Sequence, residues 1–174
     1  MSLGSYSEIA TDSYILREVG GAKSITIFGC PYCANQSVGY AKDISEIGKV
    51  SFFGFHFEPY PMGEEANRIK QLLESKGKTA NIKFFNLPLP PFCQLNQKAR
   101  SAIVKAFKNS DTALALSCMA GFGGIKSALP NAKVVHGMAT LGTLAAYLSV
   151  EKGRMFLDKA KSKVVRFREM GQTT

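Results

Sequence analysis

The sequence predicts an α/β protein: a three-layer sandwich with a five-stranded parallel sheet, of the flavodoxin-like or Rossmann-like kind. Short apolar runs rich in β-branched residues alternate with segments whose apolar residues recur at helical spacing. Five such strand–helix units follow one another, and consecutive units of this kind favour a parallel sheet with helices on both faces and right-handed crossovers. The length of 174 residues fits one ordinary domain.

The predicted strands are apolar and end at Gly, Pro or polar residues. They are Lys23–Phe28, Lys49–Phe57, Asn81–Leu87, Thr112–Ser117 and Lys133–His136. The predicted helices that follow them are Ala34–Ile47, Gly63–Lys76, Gln94–Lys108, a short helix closed by Ile125–Leu129, and Thr140–Leu148. Residues 1–150 are therefore expected to form a single α/β domain. Residues 151–174 are expected to add a basic helix or tail that packs on this domain or extends from it.

Composition excludes several classes of protein. Apolar residues make up 45% of the chain and charged residues 20%, as in globular proteins and unlike disordered ones. No apolar run approaches the roughly 18 residues that a membrane helix needs, and the first residues do not resemble a signal peptide. We therefore expect a cytoplasmic protein without a membrane association.

The charge balance is strongly positive, with 22 basic and 13 acidic residues. Seven basic and three acidic residues lie between Glu151 and Glu169. Such a segment is typical of a solvated helix or of a contact with a protein partner or a second copy of the chain. Nucleic acid is the less favoured partner, because the chain has no Trp and no recognisable nucleic-acid-binding module.

The four cysteines each follow a predicted strand: Cys30 and Cys33 the first, Cys93 the third and Cys118 the fourth. The carboxyl ends of parallel strands share one edge of the sheet, where α/β proteins bind ligands. We therefore expect the four side chains to meet there. Four thiolates suit a single tetrahedral Zn²⁺, or an iron–sulfur cluster.

Two other interpretations of the cysteines remain open. The segment Cys30-Pro31-Tyr32-Cys33 resembles the glutaredoxin active site, in which a helix N-terminus stabilises the thiolate of the first cysteine. Cys30 would then be the nucleophile and Cys33 the resolving thiol of a thiol–disulfide oxidoreductase. Alternatively, the cysteines are structural, and the protein is a non-catalytic interaction module that docks a partner through its basic tail.

A second resemblance covers residues 29–142. The order of GCPYC, a strand ending before Cys93, and ALALSCMAGFGGIKSALPNAKVVHGMATLG is similar to the cysteine-rich zinc or iron–sulfur partner domain associated with methylenetetrahydrofolate reductase in anaerobes and archaea. The resemblance implies a metal- or cluster-binding accessory or electron-transfer protein in one-carbon metabolism. The third cysteine of that family's first cluster is replaced by Ser37. The matching residues are Cys30, Cys33, Cys93, Cys118, Gly121, Gly137 and Thr140.

Three further features are candidates for the same edge of the sheet. The glycines Gly121, Gly123 and Gly124 follow the fourth strand, where a loop can present N–H groups to an anion or allow Cys118 to approach the crevice. His136 ends the fifth strand and is a candidate ligand or acid–base group, although a histidine that only satisfies local hydrogen bonds is the more common case. The same alternatives hold for His56 near the end of the second strand.

Overall fold

The computed structural model describes residues 1–51, 56–85 and 89–170, with the backbone alone at residues 56, 169 and 170. The described residues form strands and helices in alternation, followed by a long hairpin. The strands are β1 (Ser2–Ile9), β2 (Ser24–Gly29), β3 (Glu46–Ser51), β4 (His56–Pro59), β5 (Thr79–Phe84), β6 (Thr112–Leu116), β7 (Lys133–His136), β8 (Met138–Glu151) and β9 (Arg154–Arg166). The helices are α1 (Asp12–Val19), α2 (Cys33–Lys42), α3 (Tyr60–Ser75), a 3₁₀ helix (Phe92–Gln94), α4 (Gln97–Phe107), α5 (Met119–Ala128) and α6 (Phe167–Met170).

A four-stranded parallel sheet forms one half of the fold, in the order β5-β2-β6-β7. The two central strands are buried along almost their whole length, which explains why β2 and β6 read as continuous apolar runs. Their side chains pack with those of the surrounding helices in the larger core, whose fully buried members include Phe28, Leu114, Ile69 and Ile103.

The second sheet is mainly antiparallel and curled, in the order β1-β8-β9-β3-β4. Its centre is the hairpin of β8 and β9, the two longest strands. A smaller core lies on this sheet, formed by buried Tyr6, Ile47, Leu144, Ala146 and Leu157. The residues that the structure describes therefore form two hydrophobic cores, one for each sheet.

The predicted fold class, a sandwich around a five-stranded parallel sheet, is wrong. The parallel sheet has four strands, and the larger sheet is antiparallel. The segment Thr140–Leu148, predicted as a helix, lies within β8, and the basic segment after Glu151 forms β9 instead of a helix. The two segments are strands because a turn between them makes them a hairpin. In this turn, Lys152 and Gly153 have φ angles of 48° and 77°. Two residues with positive φ form the hairpin turn that matches the twist of antiparallel strands.

The predicted second strand, Lys49–Phe57, also differs. Its first residues belong to β3 and its last to β4, which pair with each other antiparallel in the curled sheet, and residues 52–55 lie outside the described part of the chain. Helix α2 ends at Lys42, five residues earlier than predicted, because Asp43 adopts a left-handed conformation with φ 60°. The chain then enters β3.

Helices α2 and α5 contribute to the larger core and also contact the antiparallel sheet. Strand β1 lies against α2, where the Ser37 hydroxyl donates to the Ser5 carbonyl oxygen at 3.0 Å and accepts from the Ser7 N–H at 3.2 Å. Thr140, in β8, accepts the N–H of Met119, the first residue of α5, at 2.8 Å. None of the helices that the structure describes is long and apolar enough to cross a membrane.

Candidate functional site

The candidate site lies where the chain order of the parallel sheet reverses. From β2 the chain passes to β5 on one side, and it returns to β6 on the other. The loops that leave β2 and β6 therefore run in opposite directions and leave a crevice between them, the usual ligand position in such sheets. Cys30 directly follows β2, and Cys118 follows β6 after one residue.

Cys30 and Cys118 lie side by side at this crevice. The N–H of Cys30 donates to the Leu116 carbonyl oxygen at 2.9 Å and so extends the β2–β6 pairing by one step beyond the strands. Both side chains are buried, with 5% and 6% exposure. Cys118 is also the N-cap residue of α5; its own side chain makes no capping hydrogen bond, and the N–H of Met119 donates to the Thr140 hydroxyl instead.

Cys33 opens α2 and is covered by β1. An added Cβ on Gly4 would stand 2.6 Å from the Cys33 sulfur, so only glycine allows the strand to pass this closely. The backbone N–H of Ser5 is hydrogen-bonded to the same sulfur. The single hydroxyl proton of Ser37 is shared between the Ser5 carbonyl oxygen and the Cys33 carbonyl oxygen, which lies 2.8 Å from the hydroxyl. The serine at the position of the missing third cysteine thus fixes β1 to the helix that carries Cys33.

Cys93 approaches from a third direction, on the 3₁₀ helix that precedes α4, and its side chain is exposed. This short helix packs directly on α5. An added Cβ on Gly124 would stand 1.8 Å from the Phe92 carbonyl oxygen, so the two backbones touch at this glycine. The neighbouring Phe92 side chain is buried in the larger core. The position of Cys93 is therefore set by the contact between Phe92 and α5.

The four sulfurs are close enough to influence each other electrostatically. The pKa of Cys30 is raised to about 12, mainly by burial and in smaller part by the neighbouring Cys33 and Cys118. Burial also raises the pKa of Cys33 and of Cys93, and Cys118 contributes to both increases. All of the other three cysteines thus interact with Cys118. The shared site for all four cysteines stays a prediction.

Backbone N–H groups partly offset the cost of a negative charge at these sulfurs. Hydrogen bonds from the N–H groups of Tyr32 and Ala34 lower the pKa of Cys30, and those of Ser5 and of Cys33 itself lower the pKa of Cys33. In both thiols burial prevails, so the neutral form is favoured at neutral pH. The ionised form needs a positive charge in addition to these donors, and a bound metal ion provides such a charge.

Within the described ranges, no group of three or more His, Cys, Asp or Glu side chains is disposed to hold a metal ion. Coordination of one ion by all four sulfurs therefore requires side-chain adjustment. The exposed Cys93 has room to change rotamer, whereas Cys33 is confined by Gly4.

The three glycines do not form the predicted loop, because α5 begins at Met119 and includes them. Gly121 lies against Ser117, Gly124 against Phe92, and Gly123 faces open space. Gly121 and Gly124 thus permit close packing of α5 on Ser117 and on the 3₁₀ helix.

His136 lies next to the crevice, at the end of β7. Its Nε2 donates to the Ser117 carbonyl oxygen at 2.8 Å, and its ring stacks on Phe122 with 4.7 Å between centroids. Burial lowers the pKa of His136, and the Ser117 carbonyl opposes this effect. Its contacts are those of a histidine that orients the loop carrying Cys118. The side chain of His56 lies outside the described part of the chain.

Sequence reasoning did not find the contributions of β1 and β8 to the site. Gly4 and Ser5 cover Cys33, and Thr140 holds the first turn of α5 next to Cys118. Thr140 appeared only as a residue matching the family pattern. Nothing in the sequence places β1 on α2, because that contact depends on the pairing of β1 with β8, more than 130 residues away.

Comparison with known proteins adds no relative: no family model matches the chain, and neither a curated protein nor a solved structure is significantly similar to it. The resemblance to the methylenetetrahydrofolate reductase partner domain stays a prediction.

Proposed function

We propose that this protein binds a thiophilic metal centre, a single Zn²⁺ or an iron–sulfur cluster, through Cys30, Cys33, Cys93 and Cys118. One observation supports the proposal: Cys118, at the switch point of the parallel sheet, is close enough to influence the pKa of Cys30, Cys33 and Cys93. Four thiolates satisfy a tetrahedral Zn²⁺ and equally the cysteine ligation of a cluster.

The environment of Cys30 favours metal binding over thiol–disulfide exchange. An exchange enzyme needs a reactive thiolate with a lowered pKa and access for its substrate. Cys30 is 5% exposed, and burial raises its pKa to about 12. Metal binding also gives a role to Cys93 and Cys118, which a Cys30–Cys33 dithiol leaves without one.

The position of the centre suits an accessory or electron-transfer role. Cys93 is exposed, and Met119 beside Cys118 is 56% exposed, so a partner protein can reach this edge of the sheet. The free thiols fit a reducing compartment, and we therefore assign the protein to the cytoplasm with a protein partner or a second copy of itself. A place in one-carbon metabolism rests on the family resemblance alone.

The test is metal analysis of anaerobically purified protein, together with its visible spectrum. We expect either zinc without a chromophore, or iron and sulfide with a charge-transfer absorption. Each of the four Cys→Ser variants should lower the affinity for Zn²⁺ by about 100-fold or more in competition with a chromophoric chelator. Gly123→Ala is the matched control, because its added methyl group faces open space near the site.

Two results would overturn the proposal. One is full retention of metal by all four serine variants. The other is turnover of a glutathione-linked disulfide substrate that needs only Cys30 and Cys33 and is unaffected by a chelator. That second result would establish the oxidoreductase instead.

A further inference from the structure

A second surface, distinct from the cysteines, runs along α4 and the end of α5. Two cavities, of about 810 and 490 Å³, adjoin there. Both are lined by Val104, Phe107, Ala128 and Pro130, so they form one continuous groove, which we call the α4–α5 groove. Val104, which is 51% exposed, and the half-buried Phe107 line both cavities, and we call these two residues the apolar floor of the groove. Adjoining exposed apolar side chains are a feature of binding surfaces.

The groove is positively charged on its rim. Arg100, Lys105, Lys108 and Lys133 line it, and its acidic residue is Asp111. The Asp111 carboxylate already accepts the backbone N–H groups of Lys23 and Ser24 at 2.8 and 2.9 Å. Among the described residues, no carboxylate lies within ion-pair distance of the three lysines.

The charge around the groove reflects a wider bias in the chain. Residues 75–150 contain nine basic residues and a single acidic one, Asp111. The positive charge of the groove is therefore not balanced by neighbouring segments of the sequence. Positive charge around apolar residues favours a partner that carries both negative charge and an apolar face.

We propose that the α4–α5 groove binds an acidic, amphipathic helix of a partner protein. The apolar face of such a helix covers Val104 and Phe107, and its carboxylates meet Lys105 and Lys108. Helix α4 has 11 residues and spans about 16 Å, so the groove accommodates about three turns of a second helix. This mode of recognition is the helix-in-groove type.

The apolar floor distinguishes this partner from nucleic acid. Binding of phosphates needs positive charge but no aliphatic floor, and single strands are held by aromatic side chains on which bases stack. In the described part of the chain, the one aromatic residue that lines the groove is Phe107, which is half-buried. None of the four cysteines lines the groove, so this proposal does not depend on the metal centre.

The probe is a fluorescein-labelled synthetic peptide of about 15 residues, with Leu at helical spacing and Glu at the remaining positions. Its binding to the full chain is measured by fluorescence anisotropy. Lys105→Glu/Lys108→Glu should weaken binding by more than about 10-fold, and Val104→Ser by several-fold. The matched control is Lys83→Glu/Lys163→Glu, which makes the same charge change at two exposed lysines outside the groove. It should change binding less than about two-fold.

Three results would overturn the proposal. The first is the absence of saturable binding up to about 1 mM peptide. The second is an equal loss of binding in the control variant, which would show attraction by net charge alone. The third is a combination of two findings: Val104→Ser binds the peptide with unchanged affinity, and a single-stranded oligonucleotide of the same charge binds the protein as tightly as the peptide does. This result would assign the groove to nucleic acid. Circular dichroism of each variant checks that the fold is intact.

Discussion

Substitution of Gly124 by alanine tests the contact that positions Cys93. The added Cβ would stand 1.8 Å from the Phe92 carbonyl oxygen and 2.9 Å from its carbon. Real Cβ contacts are essentially never shorter than 3.0 Å, so the 3₁₀ helix must move away from α5 by about 1 Å or more. A backbone carbonyl cannot avoid the methyl group by changing rotamer, and the cost falls at the upper end of the range for overpacking, about 3 kcal/mol.

The helical preference of alanine over glycine opposes part of this cost, by about 1 kcal/mol. We therefore expect Gly124→Ala to destabilise the protein by about 2 kcal/mol. Gly123→Ala, one residue earlier in the same helix, gains the preference with no contact within 4 Å and should stabilise by up to about 1 kcal/mol. The two variants should differ by about 3 kcal/mol, or about 6–12 °C in Tm for a chain of this size.

The measurement is thermal and urea unfolding of both variants without added metal, followed by chelator competition for Zn²⁺. Gly124→Ala should also bind Zn²⁺ more weakly than Gly123→Ala, because the displaced 3₁₀ helix carries Cys93. Equal melting temperatures of the two variants, within about 2 °C, would refute the close approach of Phe92 to α5.

Two further predictions concern protonation. Because burial raises the pKa of Cys30, Cys33 and Cys93, these three thiols are protonated at pH 7, and binding of Zn²⁺ should release about three protons from them. The affinity for Zn²⁺ should therefore rise by more than about tenfold for each unit by which the pH increases. Calorimetry in buffers of different ionisation enthalpy measures the proton release, and release of less than about one proton would contradict this prediction. Burial alone would raise the pKa of Glu65, but the ion pairs with Lys42 and Arg68 outweigh this effect and lower the pKa below the ordinary 4.5. The ion pairs therefore stabilise the fold above pH 4.5, and their contribution is lost as the pH falls below that value. Glu65→Gln should cost about 1–3 kcal/mol at pH 7 and progressively less below pH 4.5 in urea unfolding, and a cost that does not depend on pH would argue against this pairing.

The parallel half of the fold could be predicted from the sequence. Strands β2, β6 and β7 lie within one residue of their predicted positions. The two central strands, β2 and β6, were recognisable because strands buried on both faces produce continuous apolar runs. Helix α3 was recognised from its helical spacing, with Ala66, Ile69 and Leu73 fully buried as that spacing requires. The position of each cysteine after a strand followed from the same elements.

The antiparallel half could not be predicted in the same way. Strand β8 is rich in Ala, Leu and Thr and lacks a strict alternation of polar and apolar residues, since parts of both its faces are covered. Its pattern therefore matched a helix. The signal that would have revealed the hairpin is the pair Lys152-Gly153 between two long segments without proline. Gly142 in β8 pairs with Arg166 in β9 only because this turn brings the two strands together, so the pairing cannot be recognised without the turn.

Thr140 connects the antiparallel sheet to the parallel half of the fold. It belongs to the antiparallel sheet, yet its hydroxyl holds the first residue of α5, and β1 of the same sheet covers Cys33. A metal bound between Cys33 and Cys118 would join α2 to the start of α5, the two helices that β1 and Thr140 of the antiparallel sheet contact. Its binding energy would therefore stabilise the junction of the two sheets together with the parallel half.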